Sequence, residues 1–120
     1  MENIVVQKST DFALRIVQLY KSLCDTKREY VLSKQLLKSG TSIGANVREA
    51  VQAQSRKDFL SKMNIALKEA TETEYWIELL VKSNYLEGPE GTSITDECAE
   101  LKRILHAIVK TTKSEKPGGV

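Results

Sequence analysis

A chain of 120 residues holds one domain, and with 41% apolar and 28% charged residues it can bury a single core without disulfide staples. A net charge of only +2 excludes wholesale electrostatic capture of nucleic acid or membrane, so any such binding needs locally clustered charge. No run approaches the roughly 18 apolar residues of a membrane span, and Met1 to Val6 lack a basic region followed by an apolar stretch of export length, so a cytoplasmic protein is expected.

Four stretches carry helical periodicity and none carries a convincing strand alternation. The first is expected to open at Ser9-Thr10-Asp11, which has N-cap chemistry, and to bury Phe12, Ala13, Ile16, Val17, Tyr20, Leu23 and Cys24 along one stripe. It fades at the polar turn Asp25-Thr26-Lys27.

The second stretch runs from about Tyr30 to Ala53, with Leu32, Leu36, Ser39 or Gly40, Ile43, Val47, and Ala50 or Val51 in phase. Its middle, from Ser39 to Asn46, is full of poor helix formers and could be read as a loop. The unbroken phase on both sides favours one continuous helix instead. Two helical glycines each cost about 1 kcal/mol relative to Ala, and a close approach of two backbones would offset that cost.

Ser55-Arg56-Lys57-Asp58 matches a capping box with Asp at its last position. A third helix follows to about Asn84, lined by Phe59, Leu60, Met63, Ala66, Leu67, Ala70, Ile77, Leu80 and Val81. Glu87-Gly88-Pro89-Glu90-Gly91 reads as a break. Thr95-Asp96-Glu97 then starts a fourth helix with Cys98, Leu101, Leu105 and Ile108 on one side and Ile104 beside them. Residues 1–110 are expected to form the domain and the polar residues 111–120 a disordered tail. Short connections between long helices favour antiparallel neighbours, so the expected fold is all-α: an antiparallel, up-down-up-down four-helix bundle.

Groups able to do chemistry are sparse. Cys24 and Cys98 lack CxxC spacing or metal-ligand neighbours and are expected to be buried thiols. The single histidine, His106, follows Lys102 and Arg103, which excludes the Glu-x-x-His pattern of di-metal bundles. Glu69 and Glu72 share a helix face but lack histidine partners, and a solvated or salt-bridging face is the simpler reading. There is no Gly-x-Ser-x-Gly elbow and no phosphate-binding glycine loop. No enzyme, metal or cofactor is expected.

Two surface features remain. Between Lys8 and Lys57 there are ten basic and four acidic side chains, a local surplus of +6. Arg15, Lys34, Lys38, Arg48, Arg56 and Lys57 could line a phosphate-binding surface once several copies come together, or form a solvated face that aids subunit association. Tyr75, Trp76 and Leu79 widen the apolar face of the third helix beyond one stripe, which suggests contact with another subunit.

The run Leu32-Ser33-Lys34-Gln35-Leu36-Leu37-Lys38-Ser39-Gly40-Thr41-Ser42-Ile43-Gly44-Ala45-Asn46-Val47-Arg48-Glu49-Ala50 resembles the signature of the four-helix-bundle proteins encoded in intervening sequences of 23S ribosomal RNA genes. Lys62, Ala66, Lys68-Glu69-Ala70 and Glu72-Thr73-Glu74-Tyr75-Trp76 extend the match, which runs from Phe12 to about Leu86. The chain is also similar to the accessory proteins of diversity-generating retroelements. These resemblances imply a bacterial, left-handed bundle that assembles into a homo-oligomeric ring, commonly a pentamer, with nucleic acid bound on a basic surface. They mark Ser39, Ser42, Asn46, Glu49, Glu69 and Glu72 as characteristic polar positions, expected to hydrogen-bond to one another between helices or subunits. An oligomer that binds RNA or another nucleic acid is therefore the leading expectation, and a protein-interaction scaffold the alternative.

Overall fold

The computed structural model describes residues 2–115, with side chains from Ile4 onward. Four α-helices account for nearly all of them: α1 Glu2–Asp25, α2 Leu32–Val51, α3 Arg56–Lys82 and α4 Gly88–Ser114. Each packs on its neighbours in the cyclic order α1, α2, α3, α4, and among the described residues the backbones of the diagonal pairs stay apart. The molecule is a rod of 55 × 20 × 20 Å. Neighbours run in opposite directions. Gly40 lies against Ile16 while Gly44 lies against Ser9, and Lys62 pairs with Glu49 while Thr73 meets Ser39.

The first helix begins seven residues earlier than its cap-like sequence suggests. Ser9 and Thr10 do not cap anything: both hydroxyls donate backward to the carbonyl of Val6, within the helix. Val5 is buried and continues the stripe of Phe12, Ile16, Leu19 and Leu23. Of the residues expected on that stripe, Ala13, Val17, Tyr20 and Cys24 are only half-buried and flank it.

The second helix is unbroken through its small residues. A Cβ on Gly40 would stand 2.9 Å from Ile16 Cγ1, and one on Gly44 would stand 3.3 Å from the carbonyl oxygen of Ser9. The glycines therefore let α1 approach closer than side chains would allow. The N-terminus of α2 is capped by Glu29, whose carboxylate accepts from the backbone N–H of Val31, Leu32 and Ser33 at 3.1, 2.9 and 2.7 Å. Ser33 Oγ donates to the Glu29 carbonyl at 2.7 Å. All three donors are orphans of a helix start, so this one buried carboxylate satisfies most of what the first turn lacks.

Ser55 caps α3 as its sequence predicts, accepting from Asp58 N at 3.0 Å. The inner line of α3 is Met63, Ala66, Ala70, Thr73, Ile77 and Leu80, while Phe59, Leu60, Leu67 and Val81 lie half-buried beside it. The break after α3 is shorter than expected, spanning residues 83–87. Tyr85 and Leu86 both donate their N–H to the Leu80 carbonyl, which closes the C-terminus of α3.

Gly88, Pro89 and Gly91 belong to the first turn of α4 rather than to the break. Proline suits that turn because its missing N–H would have no partner there. Gly91 is buried against Val81 and Leu86, so α4 starts seven residues before Thr95. At its other end α4 continues through residues 111–114, which are helical rather than the start of a tail. The expectation for residues 116–120 lies outside the described residues.

Candidate functional site

Four seams join the helices, and their polar contacts differ. The α1/α4 seam carries Arg15 Nη1 to Glu97 Oε1 at 2.6 Å and Lys8 to Glu100 at 3.6 Å. The α3/α4 seam carries Lys102 to Glu74 at 2.8 Å, and Arg56 to Glu115 at its end. Arg56 also donates to the carbonyls of Thr112 and Glu115, placing its charge at the negative end of the α4 dipole. Lys62 reaches Glu49 across the α2/α3 seam at 3.9 Å.

The α1/α2 seam differs from these three, because among the described residues no ion pair crosses it. Its polar contacts are neutral or one-sided: Arg48 Nη2 donates to Thr10 Oγ1 at 3.0 Å, and Cys24 Sγ lies 3.8 Å from Ser33 Oγ. Lys34, Thr41 and Arg48 are seven apart and share one helix edge, which Arg48 shows to be the edge toward α1. Lys21 sits beside Val17 and Cys24 on the facing edge of α1, and the packing of Cys24 on Ser33 brings it level with the first turn of α2. Lys21, Lys34 and Arg48 are exposed, with no carboxylate of the described residues within ion-pairing distance.

The six cations expected to bind phosphate therefore do not share one surface. Arg15 and Arg56 are committed to carboxylates and carbonyls of their own chain. Lys38 is exposed and its charge acts on Glu69 of α3. Lys57 is exposed in the first turn of α3. Lys34 and Arg48 remain on the α1 side of α2. Lys21, which sequence reasoning missed, joins them; only the pairing of α1 with α2 makes it a neighbour.

The characteristic polar positions gather along the α2/α3 seam. Ser39 and Thr73 hydroxyls meet at 2.9 Å in the buried interior. Ser42 Oγ donates to the Lys38 carbonyl at 2.7 Å and Asn46 Nδ2 to the Ser42 carbonyl at 2.9 Å. Asn46 and Glu49 were expected to share a network, but Asn46 bonds its own helix while Glu49 pairs with Lys62. Glu72 accepts from Trp76 Nε1 at 3.2 Å. Glu69 is half-buried; burial and the Glu72 charge hold its carboxyl above the usual range, against the pull of Lys38 and Lys68.

Tyr75 is 52% exposed and its ring stacks obliquely on Trp76, with centroids 5.0 Å apart. Trp76 and Leu79 are half-buried, and Ile65 adds a further exposed apolar group about four turns before Leu79 on the α2 side of α3. No three His, Cys, Asp or Glu side chains converge among the described residues. Cys98 is buried, Cys24 half-buried and His106 exposed. Among the described residues no helix is long and apolar enough to cross a membrane.

A bundle of four helices with polar and charged seams defines the class of this molecule, a small all-α helical-bundle protein. The family model described as 23S rRNA-intervening sequence protein matches residues 1–107, and the chain belongs to that family. A crystal structure at 1.70 Å of a protein of unknown function from the S23 ribosomal protein family of Bacteroides thetaiotaomicron VPI-5482 is similar to it, at 55% identity and a TM-score of 0.89. The similarity covers 91% of this chain and 97% of that one. Among curated proteins no sequence matches.

Proposed function

We propose that this protein is a non-catalytic, self-associating bundle that binds polyanions, RNA foremost, on its α1/α2 face. The observation that carries the reading is the contrast between seams. Ion pairs cross three seams, and none among the described residues crosses the fourth, whose edges carry Lys21, Lys34 and Arg48 exposed. Three such cations on one subunit bind phosphate weakly. Repetition around a homo-oligomeric ring, of which the pentamer implied by the family resemblance is one form, multiplies them into a continuous positive surface.

Self-association has its own support in Ile65, Tyr75, Trp76 and Leu79, which give α3 an apolar margin outside the core. A protein-interaction scaffold without nucleic acid would use the same margin.

Solution mass and RNA binding measured together test the reading. A structured RNA should bind at low ionic strength and weaken steeply between roughly 50 and 200 mM salt. The double variant Lys34→Glu/Arg48→Glu should bind far more weakly with its oligomer mass unchanged. RNA that fails to bind at low salt would leave the scaffold reading in its place. A monomer at micromolar concentration would remove self-association.

A further inference from the structure

We infer that the tip of the α1/α2 hairpin is a site for unpaired nucleotides, with Tyr30 as the platform on which a base stacks. The inference rests on the polyanion reading of the same face and adds to it a location and a ligand class. Lys21, Lys27, Arg28 and Lys34 surround this tip, all exposed and none in an ion pair among the described residues. Two carboxylates lie nearby. Asp25 is exposed, while Glu29 is buried and consumed by the N–H groups of Val31, Leu32 and Ser33. Over residues 21–34 the exposed charge is thus four cations against one anion.

Tyr30 is 54% exposed in the middle of these cations, beside Val31 at 72%. An aromatic residue left in water usually belongs to a loose segment, but this backbone is pinned on both sides. Glu29 N donates to the Leu23 carbonyl at 3.0 Å, with Arg28 in the left-handed region at φ 56° to make that turn. The Glu29 carbonyl accepts from Ser33 Oγ, and Val31 N donates to the Glu29 carboxylate. The residue between these anchors presents its ring from a fixed backbone, so little backbone ordering is needed when a ligand arrives. A flat ring among lysine and arginine side chains is the arrangement that binds single strands, the ring taking a base and the cations its flanking phosphates. A duplex keeps its bases stacked and offers the ring nothing. An anionic membrane would be held by the same charges, but Tyr30 and Val31 supply too little apolar area for stable insertion.

Fluorescence anisotropy at low salt, with a single-stranded RNA of about 12 nucleotides and the duplex of the same sequence, tests this. The single strand should bind about tenfold more tightly than the duplex. Tyr30→Ala should lose about tenfold in single-strand affinity, the effect of one stacked base, while barely changing duplex binding. Tyr30→Phe should retain wild-type affinity, and Lys27→Glu/Arg28→Glu should weaken both ligands and flatten the salt dependence. Tyr30 is exposed, and unchanged helicity and melting of the alanine variant would confirm that its loss is local. If Tyr30→Ala binds the single strand as wild type does while salt-dependent binding persists, the stacking site is wrong and the polyanion face stands. Failure of both RNAs to bind would overturn both. Binding to phosphatidylserine vesicles in place of either RNA would also overturn the inference, making the tip a membrane contact.

Discussion

Thr73 Oγ1 lies 2.9 Å from Ser39 Oγ and 2.7 Å from the carbonyl of Glu69, deep in the α2/α3 seam. The carbonyl can only accept, so the Thr73 proton goes there and Ser39 donates to Thr73. Thr73→Val keeps the shape and leaves the Ser39 hydroxyl with only the weak, 3.5 Å contact to the Leu36 carbonyl. A destabilisation of about 1–3 kcal/mol is expected, the cost of an unsatisfied buried donor. Adding Ser39→Ala should recover part of it, which denaturant melts of the single and double variants would measure.

Gly44 faces backbone rather than side chain, and backbone cannot rotate away. Gly44→Leu should therefore destabilise by about 1–3 kcal/mol or more as α1 is forced outward. At Gly40 the obstacle is Ile16, itself fully buried, so Gly40→Ala should lose stability despite the better helix propensity of alanine. A melting temperature equal to wild type for the leucine variant would contradict the close approach of the two helices.

Glu29 ties stability to pH. Burial pushes its carboxyl up, but the N–H groups of Leu32, Ser33 and Val31 and the Ser33 hydroxyl together outweigh this and hold it below the ordinary glutamate range. The unfolded chain thus takes up the proton more readily than the folded one. Its contribution is fully present above the unfolded value and is lost as pH falls through the lowered folded value. Glu29→Gln should cost about 0.5–2 kcal/mol near neutrality, as for other lost caps. It should also flatten the acid limb of the stability curve, which urea melts between neutral and acidic pH would reveal.

The two thiols should differ in reactivity. Burial, with the Glu74 charge adding to it and Lys102 opposing it, pushes the Cys98 thiol up to about 12. Cys24 is half-buried at the α1/α2 seam. Titration of native protein with a thiol reagent should modify Cys24 first, and Cys98 only as the chain unfolds. Equal rates would show that the α3/α4 seam opens readily.

Much of this fold is legible from periodicity alone. The in-phase apolar positions either side of Gly40 and Gly44 identify one helix, and Ser55 marks its successor. The misread ends share a physical cause, which is that local chemistry has two uses. Ser9 and Thr10 have the groups of a cap but bond back to Val6, because Val5 has a core to enter. Pro89 and Gly91 look like breakers, yet one suits a first turn and the other lets α4 close on Val81. The surface was less legible. Whether Arg15 or Lys34 meets a carboxylate depends on which helix lies opposite and in what register, and spacing along the chain holds neither fact.

The unneutralised α1/α2 seam has a consequence for folding itself. Gly40 and Gly44 draw together two helices whose facing edges carry Lys21 on one and Lys34 and Arg48 on the other, so like charges gather on this face when the chain folds. Any anion that settles on this face relieves the repulsion only in the folded chain. Phosphate, sulfate or RNA should thus raise the melting temperature by mass action, in proportion to occupancy. Thermal stability then becomes a direct gauge of ligand binding, readable before any partner is identified.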